Sequence, residues 1–135
     1  MSEALVPHRG NYKKLLSYQK SDVIFQLTYY FCHNYLQKGD RTIDQMVQAA
    51  RSGKQNIAEG CADGVSSTEM EIKLINVARA SIKELKEDYE DYLTTRNLCK
   101  WDDQHPRFAP MLDFCRQHNN QADYSPMYYK ASDEE

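Results

Sequence analysis

Between Gln45 and Gly60 the chain reads Q-M-V-Q-A-A-R-S-G-K-Q-N-I-A-E-G, and this stretch restricts the fold more than any other. On a helix, Ser52, Asn56 and Glu59 fall on one narrow polar stripe. Ile43, Met46, Ala50, Gly53 and Ile57 form an adjoining stripe of mostly small apolar groups. Ala49, Ala50, Gly53 and Ala58 remove side-chain bulk, so a neighbouring backbone can approach closely on either side. Polar groups beside such a seam need hydrogen-bond partners if buried, because each one left unpaired costs about 1–3 kcal/mol. The expectation is a helix packed tightly between neighbours, with Ser52, Asn56 and Glu59 holding helices or subunits in register.

A chain of 135 residues suits one domain with a core of about four helices. Its hydrophobic share of 41% and charged share of 27% are those of an ordinary globular protein. A formal net charge of −3 argues against strong nonspecific nucleic-acid binding, for which a basic domain is the usual footprint, but leaves room for a local patch. No run approaches the roughly 20 apolar residues of a membrane span, and the first residues lack the apolar core of a signal peptide. The expected location is the cytoplasm, with no membrane partner. Cys32, Cys61, Cys99 and Cys115 stand far apart without a C-x-x-C pair, which fits reduced thiols better than a disulfide frame.

The apolar spacing predicts four helices. The first ten residues form a leader; from about Asn11, Leu16, Val23, Leu27, Tyr30, Phe31, Asn34 and Tyr35 recur at threes and fours until Gly39-Asp40 stops the helix. Thr42-Ile43-Asp44-Gln45 has the form of a capping box, placing a second helix from near Thr42 to about Gly60. Ser66-Ser67-Thr68-Glu69 offers another capping box. The third helix then presents Met70, Leu74, Val77, Ser81, Leu85 and Tyr92 on one face, with Ile72, Ile75 and Ile82 along a second line. Two apolar lines ask for more neighbours than one hairpin supplies. Glu69 with Lys73 and Lys83 with Glu87 are expected surface pairs. Pro106 or Pro110 suits the first turn of a short fourth helix fading near Asn119-Asn120. These helices constitute a bundle over residues 1–119, followed from 120 by a tail expected to be extended or disordered, unless its Tyr128-Tyr129 pair docks.

The segment Asn56-Ile57-Ala58-Glu59-Gly60 is preceded by Gln45-Met46, Ala49-Ala50 and Ser52, and followed by Leu74, Ala78, Ser81, Glu84 and Leu85; Tyr18-Gln19-Lys20 lies upstream. In this order the residues resemble the bacterial four-helix-bundle family of ribosomal RNA intervening-sequence proteins, to which the accessory proteins of diversity-generating retroelements are also similar. The resemblance spans roughly residues 12 to 93. Where the family commonly carries two arginines after the Gln-Met pair, this chain has Val47 and Gln48. The resemblance implies a ring-like homo-oligomer, a pentamer, whose partner is RNA or an RNA-protein complex such as a retroelement reverse transcriptase.

The candidate sites are few. Lys13, Lys14 and Lys20, with His8 and Arg9 before them, make the N-terminal end basic. They read first as a solvated helix face and second as contacts to nucleic-acid phosphates. Glu59 and Glu84 could be imagined as a carboxylate pair, but a di-metal bundle brings Glu-x-x-His motifs and none occurs. Cys99, His105, Cys115 and His118 are zinc-type ligands at loose spacing, better read as structural cysteines and surface histidines. No nucleophile elbow or glycine-rich phosphate loop is present. The reading is an all-α, up-down antiparallel four-helix bundle, a non-enzymatic oligomeric scaffold without metal or cofactor that associates with RNA. The alternative is a purely protein-binding or structural assembly.

Overall fold

The computed structural model describes residues 13, 15–61, 67–133 and 135. Among these the chain is all helix: α1 (Leu16–Tyr35), α2 (Arg41–Gly60), α3 (Thr68–Thr95) and a short α4 (Phe108–Gln117). A 3-10 turn (Gln121–Tyr124) and the four-residue α5 (Met127–Lys130) follow. Of the expected N-terminal leader and the first turns from Asn11, all but Lys13 falls outside the described residues before Leu15.

Local chemistry sets the helix ends. Between α1 and α2, Gly39 takes φ 91, a left-handed conformation open to glycine at little cost. The capping box expected at Thr42 does not form. Asp40 caps α2 instead, its carboxylate accepting from the Thr42 amide at 2.9 Å, which leaves Thr42 inside the helix. Ser67 caps α3 by accepting from the Met70 amide at 3.1 Å. At the other end of α3, Asn97 adopts φ 57. The amide of Leu98 then reaches the Leu93 carbonyl at 2.9 Å and that of Asn97 the Thr94 carbonyl at 3.3 Å, a Schellman closure with Leu98 folded onto the core beside Leu93. Pro110 lies in the first turn of α4, where its missing amide proton breaks no helical bond.

Paired contacts give the topology. Asp22 meets Lys54 at 2.7 Å and Cys32 Sγ lies 3.9 Å from Met46 Sδ, so α2 runs antiparallel to α1. Ser52 meets Ser81, and Gly60 lies against Leu74, so α3 reverses again. Parallel α1 and α3 are joined by long side chains. Phe31 packs edge-on against Tyr89 and Tyr92 at centroid distances of 5.0 and 4.8 Å, and the Thr28 and Tyr89 hydroxyls lie 2.7 Å apart. Lys20 Nζ donates to the Cys115 carbonyl at 2.9 Å, setting the end of α4 beside the start of α1 and completing the up-down order.

The core gathers Cys32, Leu36, Met46, Ala49, Ala50, Leu85 and Tyr92. On α3 the buried positions are Glu71, Ala78, Leu85 and Tyr92, a seven-residue recurrence like that of a coiled-coil seam. The broad face expected on α3 is therefore divided: Met70 and Val77 stay 40% and 42% exposed, as does Ile72 at 43%. On α1 the buried positions are Ser21, Val23, Thr28 and Cys32, while Leu16, Tyr30 and Tyr35 of the expected stripe are exposed. The small polar side chains allow α1 close to α2, and the tyrosines turn toward the tail. Neither Glu69 with Lys73 nor Lys83 with Glu87 closes into an ion pair; ordering two long exposed chains outweighs a screened attraction.

Beyond His118 the tail holds only short helical turns, yet it is docked rather than extended. Tyr124 is buried and donates to the His118 carbonyl at 2.8 Å. Tyr128 stacks on Tyr30 at 3.9 Å, Tyr35 donates to the Ala131 carbonyl, and Tyr92 donates to Asp133 at 2.7 Å. Burial first, and then this bond to a carboxylate, pushes the Tyr92 phenol up to about 12.

Candidate functional site

The α2–α3 seam carries most of the residues singled out above. Its polar element is a short chain of bonds: the Ser52 and Ser81 hydroxyl oxygens lie 2.8 Å apart, and Asn56 Nδ2 donates to the Ser52 carbonyl at 2.8 Å and to Ser52 Oγ at 3.2 Å. All three residues are half-buried. The close approach that permits this is visible at Gly53, where a Cβ would stand 2.5 Å from Ile82 Cδ1 and 2.9 Å from Ile82 Cγ1. At Gly60 an added Cβ would meet Leu74 Cβ at 3.3 Å. Ile57 and Ala58 are half-buried between these glycines. Glycine, serine and asparagine at these positions thus answer one requirement, two backbones brought together with their polar groups matched.

Glu59 and Glu84 do not join the seam; both are exposed, so the polar stripe read on α2 ends at Asn56. Solvent is the favourable place for a carboxylate that no cation draws inward. The hydroxyls and amide that remain include no group able to take a proton from Ser52, so the seam positions helices rather than activating a nucleophile.

The basic N-terminal end is brought together only in part. Lys13 is exposed beside a polar hollow formed with Gln19, Asp22, Lys54 and Asn119; Lys14 lies outside the described residues. Lys20 is half-buried and spends its ammonium on the Cys115 carbonyl, in the last turn of α4, where the helix dipole favours a cation. Of the two described lysines of this end, Lys13 and Lys20, only Lys13 is exposed. The sequence reading missed Lys54, which pairs with Asp22 and lies 5.0 Å from the Phe25 ring centre. Its pairing partner is remote in sequence, and only the antiparallel register of α1 and α2 could have indicated it.

The zinc-type histidines are engaged elsewhere, and Cys99 and Cys115 are free thiols. His105 stacks on Trp101 at 4.1 Å, while His118 stacks on Phe114 at 4.0 Å and bonds through Nδ1 to the Phe114 carbonyl. Among the described residues no group of three or more histidines, cysteines or acids is placed to hold a metal ion. No helix among them is long and apolar enough to cross a membrane.

Fold and seam together define an all-α, four-helix protein whose most specific feature is a small-residue helix contact. No protein-family model matches the chain, and neither a curated protein nor a solved structure is significantly similar to it.

Proposed function

We propose that this chain is a non-enzymatic helical scaffold that self-associates and, as an assembly, engages RNA or an RNA-protein complex such as a retroelement reverse transcriptase. The observation that carries the reading is the exposure of Met70 and Val77, seven residues apart on one side of the longest helix, at 40% and 42%. Large apolar side chains left together on one face are surface that a second subunit would bury. The resemblance of the seam residues to the intervening-sequence proteins supports a ring, with a pentamer as its expected size. Exposed Lys13 supports contact with phosphates, repeated around such a ring so that weak patches act together. A protein-only scaffold is the second reading, favoured by the commitment of Lys20 to Cys115 and by the net charge of −3.

Light scattering coupled to size exclusion tests self-association. We expect a mass several times the 15.8 kDa of one chain, reduced by Val77→Asp; a monodisperse monomer at micromolar concentration would sink the proposal. Binding of a structured RNA at about 50 and 200 mM salt separates the two readings. The RNA reading expects affinity that falls steeply with salt and weakens in a Lys13→Glu, Lys14→Glu variant that still assembles. No binding by either protein at low salt selects the protein-only scaffold.

A further inference from the structure

The scaffold reading leaves unused a half-open cleft of about 420 Å³ between α1, α3 and the docked tail. Its walls are mainly apolar and aromatic, with Leu27, Phe31, Tyr89, Met127 and Tyr128 among them. The volume falls within the roughly 300–1,000 Å³ typical of small-molecule sites. Its acidic members are already engaged, Asp133 by the Tyr92 hydroxyl and Glu135 by Arg107. Among the described residues the cleft therefore offers no free carboxylate to a cationic ligand and presents no cation to an anionic one.

Besides Asn34, Tyr30 and Tyr128, which are exposed or half-buried, the lining holds a polar pair built on the fully buried Thr28. Thr28 and Tyr89 both line the cleft, and their hydroxyl oxygens share a hydrogen bond of 2.7 Å. Each hydroxyl brings a proton, and one bond uses only one of them. Thr28 is fully buried, whereas Tyr89 keeps partial exposure. When Thr28 donates, the phenol proton of Tyr89 is left without an acceptor, and when Tyr89 donates, the Thr28 proton is. A donor left over in apolar surroundings is satisfied only if an acceptor arrives.

We propose that this cleft binds a small, neutral, largely aromatic molecule carrying a carbonyl or ether oxygen, which accepts the spare hydroxyl proton of the Thr28–Tyr89 pair while its rings pack between α1 and the tail. The neutral naphthyl ketone prodan, whose emission shifts to the blue in apolar surroundings, is a suitable probe. Titrated into the full chain, it is expected to saturate at one molecule per chain with a blue-shifted spectrum. Its analogue with the ketone reduced to a methylene is expected to compete about tenfold more weakly. Tyr89→Phe combined with Thr28→Val, which removes both hydroxyls, should remove most of that difference, and Leu27→Trp, which fills the cleft, should abolish binding while the helical circular dichroism is retained. If Leu27→Trp does not fold, Cys115→Phe fills the cleft from α4. Absence of saturable binding, undiminished binding by a folded cleft-filled variant, or equal affinity of ketone and analogue for the unaltered protein would each overturn the proposal. So would a change of oligomer mass on adding the probe, which would assign the cleft to a second copy of the chain.

Discussion

Gly53 is the residue on which the α2–α3 contact turns. Replacing it with alanine gains about 1 kcal/mol of helix propensity but drives a methyl group into Ile82, and overpacking of that kind costs about 1–3 kcal/mol. Because both Cγ1 and Cδ1 of Ile82 are in the way, rotating the chain end does not clear the space. Gly53→Ala is therefore expected to lower the melting temperature, and adding Ile82→Val to recover part of the loss. An unchanged melting temperature for the single variant would mean that the helices separate freely at this point. Asp88 presents the opposite case. Burial first, then the like charges of Glu84, Asp91 and Glu87, raise its carboxyl above the usual value of 3.8, and its Oδ2 is buried without a hydrogen-bond partner. A carboxyl raised on folding stabilises below its unfolded value and loses that contribution as pH rises through the folded one. At neutral pH the charge is thus a liability. Asp88→Asn is expected to be more stable than the parent at pH 7, by under about 1 kcal/mol given solvent screening, and indistinguishable from it near pH 3, by denaturant titration at both values.

The helix ends show where local sequence was and was not a sufficient guide. Asp40 is held below the usual carboxylate range by the Thr42 amide that it caps, so its contribution is present above the unfolded value and lost as pH falls through the folded one. Asp40→Ala should lower the melting temperature at pH 7, Asp40→Asn should largely preserve it, and the alanine deficit should shrink as pH falls below 4. Persistence of the full deficit at low pH would assign it to something other than the charged cap. From the sequence, the number and order of the long helices, the stop at Gly39, the cap segment before α3 and the short α4 were all legible, because each depends on neighbours a few positions away. Ser52 and Asn56 were legible as part of a stripe with Glu59 for a different reason, since small and polar groups at helical spacing have few stable uses, whereas their partner Ser81 lies on another helix and no spacing links it to them. Which face of α1 turns inward was not. Ser21, Thr28 and Cys32 are buried because α2 approaches closely there, and Tyr30 and Tyr35 are turned outward because residues almost a hundred positions later pack on them. Glu59 shows the same limit: its neighbour Gly60 is buried against Leu74 of α3, and periodicity alone cannot say which edge of a polar stripe faces the adjoining helix.

At the scale of the molecule, two kinds of contact divide the structure. The α1–α2 and α2–α3 hairpins join near neighbours in sequence, whereas the tail closes onto α1 and α3 through a few hydroxyl and ring contacts. Removing one of these should loosen the tail without disturbing the hairpins. Tyr92→Phe deletes the bond to Asp133, and amide exchange followed by mass spectrometry is expected to accelerate about tenfold over residues 121–133 while α2 keeps its protection. Equal acceleration in both would mean that the tail and the hairpins open as one unit. The docking also has a bearing on synthesis. Lys20, Tyr30 and Tyr35 find their partners in Cys115, Tyr128 and Ala131, so a ribosome that has released the three long helices has not yet supplied what covers the outer side of the first. Until those later residues emerge, the nascent protein carries a bare tyrosine-lined strip along α1, and that interval is when chaperones or sister chains have their access to it.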